Sequence, residues 1–283
     1  MSIPSGLKVG PFTTLILLKK RYISFYIFLV WVSLFVMQFE FWWYWNLLYE
    51  SRFIQFVIFL PLLIFIMYLT MVFVSLLFAK ILLIITNLIH KPREGVFLRH
   101  PKDKNYKYWV IRNVIKKWPI WLAHKFPFPF LDNICIKMFG VKTKFSNSLF
   151  EGWVDTEFIV FGKNIVVGQA SVVQSAVIIG NLFIIRKTVI GDNVRIGVHS
   201  VVMPGTIIGN NSILAASSIT TVGQKLDDGW IYLGAPAKKY KKNVFVEEGI
   251  EEMILQQEKS TDEIHKLYEQ LYTKRHDKEF VVK

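Results

Sequence analysis

The chain has 283 residues, of which 53% are hydrophobic and 16% aromatic, and its formal net charge is +13. This composition is too apolar for an ordinary soluble domain, so the excess must be local. A single cysteine, Cys135, excludes a framework of internal disulfides. The basic residues cluster beside two apolar runs. We therefore expect membrane lipid as a partner and no nucleic acid.

The first domain, residues 1–90, is predicted to be a basic lead followed by a transmembrane hairpin. Residues 22–38 and 53–79 are two uncharged apolar runs, and each supplies about the 20 residues that a membrane-crossing helix needs. Only residues 49–52 separate the helices, which allows no more than a tight turn. The aromatic residues 42–45 beside that turn are typical of a membrane–water interface.

Basic residues flank the hairpin on the side of both its termini. They are Lys8, Lys19, Lys20 and Arg21 before the first run, and Lys80, Lys91, Arg93, Arg99, Lys102, Lys104 and Lys107 after the second. Arg52 is the only basic residue in the turn itself. The positive-inside rule then predicts a cell-membrane protein with both termini and the C-terminal domain in the cytoplasm. No cleaved signal peptide is expected.

The second domain, residues 91–147, is predicted to be an amphipathic connector on the membrane surface. Its segment 105–125 mixes tryptophans with basic residues: Trp109, Trp118, Trp121, Lys107, Arg112, Lys116 and Lys117. This mixture suits anionic headgroups. The alternative is a linker helix that packs on the end of the next domain.

The third domain, residues 148–245, carries a repeat of six residues. Aliphatic side chains occur at every sixth position: Val154, Val160, Val166, Val172, Ile178, Ile184, Ile190, Ile196, Val202, Ile208 and Leu214. A fixed period predicts stacked repeats that bury their apolar sides on each other. Six residues suit a short strand and a corner, so three units would form one triangular coil and the segment would supply about four coils.

The corners of such a coil need residues that tolerate positive φ. The fourth positions of the hexads are Glu157, Lys163, Gln169, Ser175, Asn181, Lys187, Asn193, His199, Gly205, Asn211, Ser217 and Gly223. Many of these are asparagine or glycine, as a corner predicts. Small residues often lie two places before these aliphatic residues. They would let large and small side chains alternate in the narrow interior of the coil.

The run VIGDNVRIGVHSVVMPGTIIGNNSILAASSIT and the later GWIYLGAPAKKYKK resemble the bacterial hexapeptide-repeat acyltransferase family. The shared features are the [LIV]-G-x-x-x-x repeat and a closing Gly-x-Pro-Ala-Lys. The resemblance implies a mainly β fold, a left-handed parallel β-helix, usually assembled as a homotrimer. The segments DTEFIVFG and VQSAVIIGNLFIIRKTVIGD are also similar to the membrane-anchored terminal module of polylysine-synthase-type peptide synthetases.

The family resemblance implies a histidine base, and the repeats contain only His199. In the synthetase-type modules the segment matching residues 173–176 ends in histidine, whereas this chain has Ala176. Three hypotheses stay open: His199 is the base, a carboxylate (Glu151 or Asp155) acts instead, or this copy is silent and His199 merely fills a corner. Zinc enzymes of this fold share three histidines, so we expect no metal.

The same resemblance implies that acetyl-CoA or another acyl-CoA, as co-substrate, lies along the last coils. The corresponding residues here are Ser217, Ser218, Gly234, Ala235, Lys238, Lys239 and Lys241. Small residues would let the pantetheine arm approach the backbone, and the lysines would pair with phosphates. The alternative is that these lysines are merely solvated side chains on the segment where the chain leaves the repeats.

The fourth domain, residues 246–283, is predicted to be a C-terminal helix and tail, because apolar residues follow a weak heptad pattern. The function expected for the whole chain is that of a membrane-anchored acyltransferase acting on a sugar, glycan or amine. Two alternatives are aminoacyl or peptidyl transfer from a carrier-protein thioester, and a non-catalytic β-helix scaffold.

Overall fold

The computed structural model describes residues 20–50, 52–125, 130–149 and 152–243, together with Lys266 and Glu269. The chain divides into two units, Met1–Tyr240 and Lys241–Lys283. In the second unit, Lys266 and Glu269 are helical. The other residues of the predicted C-terminal helix lie outside the described part of the chain.

Two long helices form a hairpin at the start of the first unit. After a short 3-10 turn, Lys20–Tyr22, helix α1 spans Ile23–Leu48 and α2 spans Phe53–Ile89, unbroken at Pro61. The Tyr44 hydroxyl donates a 2.6 Å hydrogen bond to the carbonyl of Phe56, which ties the helices together near the turn. Both helices are long and apolar enough to cross a membrane, by length and composition.

Helix α3, Lys104–Ala123, packs along this hairpin. The side chain of Asp103 accepts hydrogen bonds from the backbone N–H groups of Asn105 and Tyr106, a standard N-cap. The Tyr68 hydroxyl of α2 donates to the carbonyl of Leu122 at 2.8 Å, which fixes the other end of α3. Helix α4, Phe130–Met138, follows, and Lys80 of α2 donates to the Met138 carbonyl.

Two basic residues of α3 are not where the sequence led us to expect them. Arg112 and Lys116, which we assigned to lipid headgroups, are each only 2% exposed. Both contact Glu157 at the start of the β-helix instead. Since α3 must bury one side against the hairpin and the other against the repeats, charged residues on the second side become enclosed. The linker-helix alternative describes these two residues better.

The rest of the first unit is a parallel β-helix with an inserted hairpin. Its short strands are β2 Trp153–Val154, β3 Ile159–Phe161, β4 Val166–Val167, β5 Val172–Val173, β6 Ala176–Ile179, β7 Leu182–Ile185, β8 Thr188–Ile190, β9 Arg195–Ile196, β10 Val201–Val202, β11 Ile207–Ile208, β12 Ile213–Leu214, β13 Lys225–Leu226, β14 Trp230–Leu233 and β15 Lys238–Lys242. An earlier strand, β1, spans Gly95–Leu98.

The strands stack into three faces. Face 1 contains β2, β5 and β10, face 2 contains β3, β8, β11 and β13, and face 3 contains β4, β9, β12, β14 and β15. Ile213 pairs in parallel with Arg195 below and Ile231 above, each 18 residues away, so three hexads form one coil. These observations confirm the predicted architecture: a parallel β-helix preceded by a hairpin of apolar helices.

A β-hairpin interrupts the second coil. Val172 pairs with Val201, 29 residues later, whereas Val201 pairs with Ile219 after the regular 18. The additional residues form β6 and β7, which pair antiparallel, and β1 adds to the edge of β7. Phe183 of this hairpin packs on Trp109 of α3 at a ring distance of 4.5 Å. The hairpin therefore joins the repeats to the helical region.

This insertion ends an error of phase in the predicted repeat. From Ile190 to Leu214 the sixth positions are buried, as we predicted. Earlier in the chain Val154 is buried as predicted, but the next interior residues are Phe161, Val167 and Val173, one place after the predicted Val160, Val166 and Val172. Each strand there has two adjacent aliphatic residues, so the sequence cannot tell which one faces inward. The hairpin then resets the count.

The corners show the same shift. All six predicted corner residues from Asn193 onward have positive φ: Asn193, His199, Gly205, Asn211, Ser217 and Gly223. Before the insertion, the positive-φ residues are Phe158, Asn164 and Ala170, each one place later than predicted. At the corner between faces 2 and 3, amides stack in a ladder. Asn164 donates to Asn193 and Asn193 donates to Asn211, at 3.1 and 2.8 Å.

Candidate functional site

Most of the predicted donor-binding residues lie at one corner of the β-helix, between faces 3 and 1. We call this column, formed by Ala170, His199, Ser217 and Gly234, the 3–1 corner. The backbone N–H of His199 donates to the Gln169 carbonyl, and that of Ser217 donates to the Val198 carbonyl. Gly234 donates from its N–H to the Ser218 hydroxyl at 3.1 Å. Neighbouring coils are about 4.8 Å apart.

The 3–1 corner offers small side chains and accessible backbone. Ala216 and Ser217 are exposed. Ser218 is fully buried, and its hydroxyl faces the backbone of the next coil. Gly234 has a φ of 97°, a conformation that favours glycine, and Ala235 beside it is exposed. An extended ligand arm could therefore lie along the part of this edge from Ala216 to Ala235 without meeting a bulky side chain.

His199 lies in this column, but its φ of 57° is what any corner residue has. Its side chain is exposed. The structure thus places His199 one coil before Ser217 and two coils before Gly234. This position is compatible with a base near the donor, and equally with a residue that only forms the turn.

The predicted lysines differ from one another in their surroundings. Lys239 forms a 2.5 Å ion pair with Asp227 and lies over the ring of Trp230. The hydrogen bond to Asp227 raises the pKa of Lys239. Lys238 is exposed on the preceding position of β15. Lys241 belongs to the second unit, where it is half-buried.

Of the two carboxylates proposed as alternative bases, Asp155 does not join the 3–1 corner. Asp155 is buried after β2, and one of its oxygens accepts hydrogen bonds from the backbone N–H groups of Ser175 and Ala176 at 2.9 and 3.2 Å. It thereby holds the base of the inserted hairpin. Burial raises the pKa of Asp155 to about 6, although these hydrogen bonds oppose the shift. Glu151 lies outside the described residues.

A second polar site lies where α2, α3 and the first coil meet. Glu157 accepts hydrogen bonds from Nε and Nη2 of Arg112 at 2.8 and 3.2 Å, and from Nζ of Lys116 at 2.6 Å. Burial alone would raise the pKa of Glu157, but the charges of Lys116 and Arg112 outweigh it and hold the pKa at about 2. The cluster therefore keeps its carboxylate ionised.

This charge cluster borders a cavity of about 250 Å³. Its lining also includes Leu83, Ile84 and Lys80 of α2, and Phe158. Asn87 contributes an amide oxygen that is buried without a described hydrogen-bond partner. Sequence reasoning missed this site. The available signal was the spacing of four between Arg112 and Lys116, which puts both cations on one side of α3 between buried tryptophans.

Within the described ranges, no group of three or more His, Cys, Asp or Glu side chains could hold a metal ion.

Comparison with known proteins identifies the repeats. Residues 187–221 match the family model described as bacterial transferase hexapeptide (six repeats). No curated protein sequence matches the chain.

Among solved structures, the chain is similar to AntD, an N-acyltransferase from Bacillus cereus solved with a dTDP-amino sugar and coenzyme A. The identity is 22% and the TM-score 0.34, over 39% of this chain and 66% of that one, just under two thirds of its length. A hexapeptide-repeat acetyltransferase from Vibrio cholerae matches at 16% identity and a TM-score of 0.36, over 45% and 88% of the chains. A maltose O-acetyltransferase from Clostridium difficile matches at 18% and 0.38, over 45% and 83%.

The family match covers the coils that follow the inserted hairpin and includes His199 and Ser217. The chain therefore carries the hexapeptide repeat of bacterial transferases, as its sequence predicted.

Proposed function

We propose that this protein is a membrane-anchored acyltransferase that transfers an acyl group from acyl-CoA to a hydroxyl or amine of a sugar, glycan or other acceptor. The observation that carries the proposal is the match of residues 187–221 to the bacterial transferase hexapeptide repeat. These same residues build the central coils of the 3–1 corner. The fold alone would not identify a reaction, because β-helices serve several functions.

The donor is proposed to lie along the 3–1 corner. The exposed small residues Ala216 and Ser217 leave room for a pantetheine arm, and Ala235 lies on the next coil. Lys238, exposed on β15, supplies a cation near this end for the phosphates. Lys239 contributes less, because Asp227 already neutralises it.

The hairpin α1–α2 is proposed to anchor the protein in the cell membrane. Apolar side chains cover its outside: Ile54, Ile58 and Leu62 are each more than half exposed. In water this surface would be strongly unfavourable, whereas in lipid it is the expected one. The basic residues at the open end of the hairpin support a cytoplasmic β-helix.

A homotrimer is proposed on the family resemblance. Outward-facing apolar residues on the flat faces, such as Val166 and Ile207, are about 40% exposed and would be covered by neighbouring subunits. Crosslinking of the protein in native membranes would report the subunit number directly.

The function is tested by thiol release. The full-length protein in lipid nanodiscs is incubated with acetyl-CoA or with an aminoacyl-loaded carrier protein, in the presence of bacterial polar lipids, and free thiol is measured. The acyltransferase proposal expects saturable release from acetyl-CoA. Release from the carrier protein alone would identify the carrier-thioester alternative. No release from either donor would favour a scaffold.

A further inference from the structure

A histidine outside the repeats has the environment that His199 lacks among its described contacts. His124 follows the last turn of α3, and its Nδ1 lies 3.2 Å from Oδ1 of Asp132 in α4. The Asp132 side chain is fully buried, whereas that of His124 is 17% exposed. Neither Asp132 oxygen has a hydrogen-bond partner among the described residues, and the contact with the imidazole is one of ion-pair distance. The buried carboxylate is therefore available to accept a hydrogen bond from Nδ1 of His124 when that nitrogen carries a proton.

The pair lies against the first coil of the β-helix. The His124 ring meets the ring of Trp153 edge-on, at a centroid distance of 5.1 Å. Trp153 opens face 1, which continues through Val172 and Val201 to Ile219 beside the 3–1 corner. Three coil spacings of about 4.8 Å separate Trp153 from Ile219. A donor arm that extends down the 3–1 corner runs toward His124.

With the hairpin across the membrane as proposed, the pair would lie near the inner surface of the bilayer. Leu122, two residues before His124, is bonded to Tyr68 of α2. Tyr68 is about 22 Å along α2 from its first residue, so a hydrocarbon core about 30 Å thick would place it in the inner half. The neighbouring Trp121 is 48% exposed, and the Lys125 ammonium lies 6.0 Å from its ring. Both are residue types that favour the interface.

We propose that His124 is the general base of the acyl transfer, that Asp132 positions it, and that the acceptor is presented at the inner surface of the bilayer. This inference rests on the proposed function. Nε2 of His124 removes the proton from the acceptor hydroxyl or amine while that oxygen or nitrogen attacks the thioester carbonyl. A C–O or C–N bond forms, the C–S bond breaks, and the coenzyme A thiolate leaves and takes the proton from His124.

Binding of a second proton by His124 and Asp132 is expected to make the activity depend on pH. Nε2 can act as a base when the pair holds one proton, on Nδ1, and Asp132 is ionised. Burial raises the pKa of Asp132 to about 7, while burial and the Lys125 charge lower the pKa of His124. Among described residues, Lys125 and the buried thiol of Cys135 are the other titratable groups that interact with the pair. Activity is therefore expected to fall as the pH drops through about 7.

The experiment compares the two histidines. Wild type, His124→Ala, Asp132→Asn and His199→Ala are placed in nanodiscs of bacterial polar lipid extract or of synthetic phosphatidylcholine. Thiol release from acetyl-CoA is followed against pH, and acetyl-CoA binding is measured by calorimetry. We expect His124→Ala to lose at least about 100-fold in release, with unchanged binding and partial rescue by added imidazole. In Asp132→Asn, the fall of thiol release on the acidic side of the pH profile should move to lower pH. His199→Ala should remain within about threefold of wild type.

Each other result has a defined meaning. Full release by His124→Ala, with loss in His199→Ala, overturns the assignment while the acyltransferase proposal stands. Equal release in the two bilayers overturns the membrane-bound acceptor. Absence of both binding and release in wild type overturns the proposed function itself. If His124→Ala does not fold, the pH profile of Asp132→Asn tests the assignment instead. If the carboxylate were purely structural, the fall of thiol release at acidic pH would stay where it is in wild type.

Discussion

Replacement of Glu157 by glutamine should be among the most destabilising single changes in the chain. Glutamine keeps the shape of the side chain but removes the charge that Arg112 and Lys116 share. Both cations are 2% exposed and would stay buried without a counter-ion. Removing one partner of a buried ion pair costs about 3–5 kcal/mol.

The lowered pKa of Glu157 points in the same direction. Its value of about 2 lies roughly 2.5 units below the ordinary 4.5, which corresponds to about 3 kcal/mol. Because the pKa is lowered in the folded state, this stability is fully present above about pH 4.5 and is lost as the pH falls toward 2.

The assay is the free energy of unfolding in a mild detergent, followed by tryptophan fluorescence. A triple variant, Glu157→Gln with Arg112→Met and Lys116→Met, is the matched control. It removes the orphaned charges and should recover most of the loss. Asp227→Asn breaks the exposed pair with Lys239 and should hardly change stability. The reasoning fails if Glu157→Gln behaves like Asp227→Asn, or if the triple variant is the least stable of the three.

Three further predictions test other parts of the structure. Because burial raises the pKa of Asp155 to about 6, wild-type stability should increase as the pH falls from 7 to 5; Asp155→Asn should flatten this increase in the same unfolding assay, and an unchanged slope would refute the shift. Asn193→Ala should lose about 1–2 kcal/mol, because alanine is strained at a φ of 55°; Asn193→Gly, which relieves the strain, should lose less, and the reverse order would count against the corner argument. In acetyl-CoA titrations, Lys238→Ala should weaken binding more than Lys239→Ala, since Lys239 is paired with Asp227; a larger effect at Lys239 would place the phosphates elsewhere.

The repeat could be predicted from sequence because each coil makes the same demand of its residues. From Ile190 onward, period, burial and corner positions all agree with the prediction. The phase before the insertion could not be predicted. Strands such as Val166–Val167 offer two equivalent aliphatic residues, and only pairing with the next coil decides which one faces inward. The inserted hairpin kept the apparent period with Ile178 and Ile184, although neither is an interior residue.

The polar sites could be predicted from the sequence only where a contiguous motif marks them. The residues of the 3–1 corner were found because a contiguous motif marks them. Arg112 and Glu157 are 45 positions apart, and so are brought together only by the packing of α3 on the first coil. His124 and Asp132 are close in sequence, but the sequence does not indicate that the carboxylate is fully buried. Charges on an amphipathic helix usually face solvent, which is why Arg112 and Lys116 were assigned to the membrane surface.

The most direct test of the account is a calorimetric titration of the full-length protein in nanodiscs with acetyl-CoA. Three proteins are compared: wild type, Ala216→Trp in the 3–1 corner, and Lys163→Trp, which adds a large ring at the exposed corner between faces 2 and 3 instead. The account predicts saturable binding by wild type and Lys163→Trp, and at least a tenfold loss for Ala216→Trp. Unchanged binding by Ala216→Trp, or no binding by wild type at millimolar ligand, would contradict a donor site at this corner.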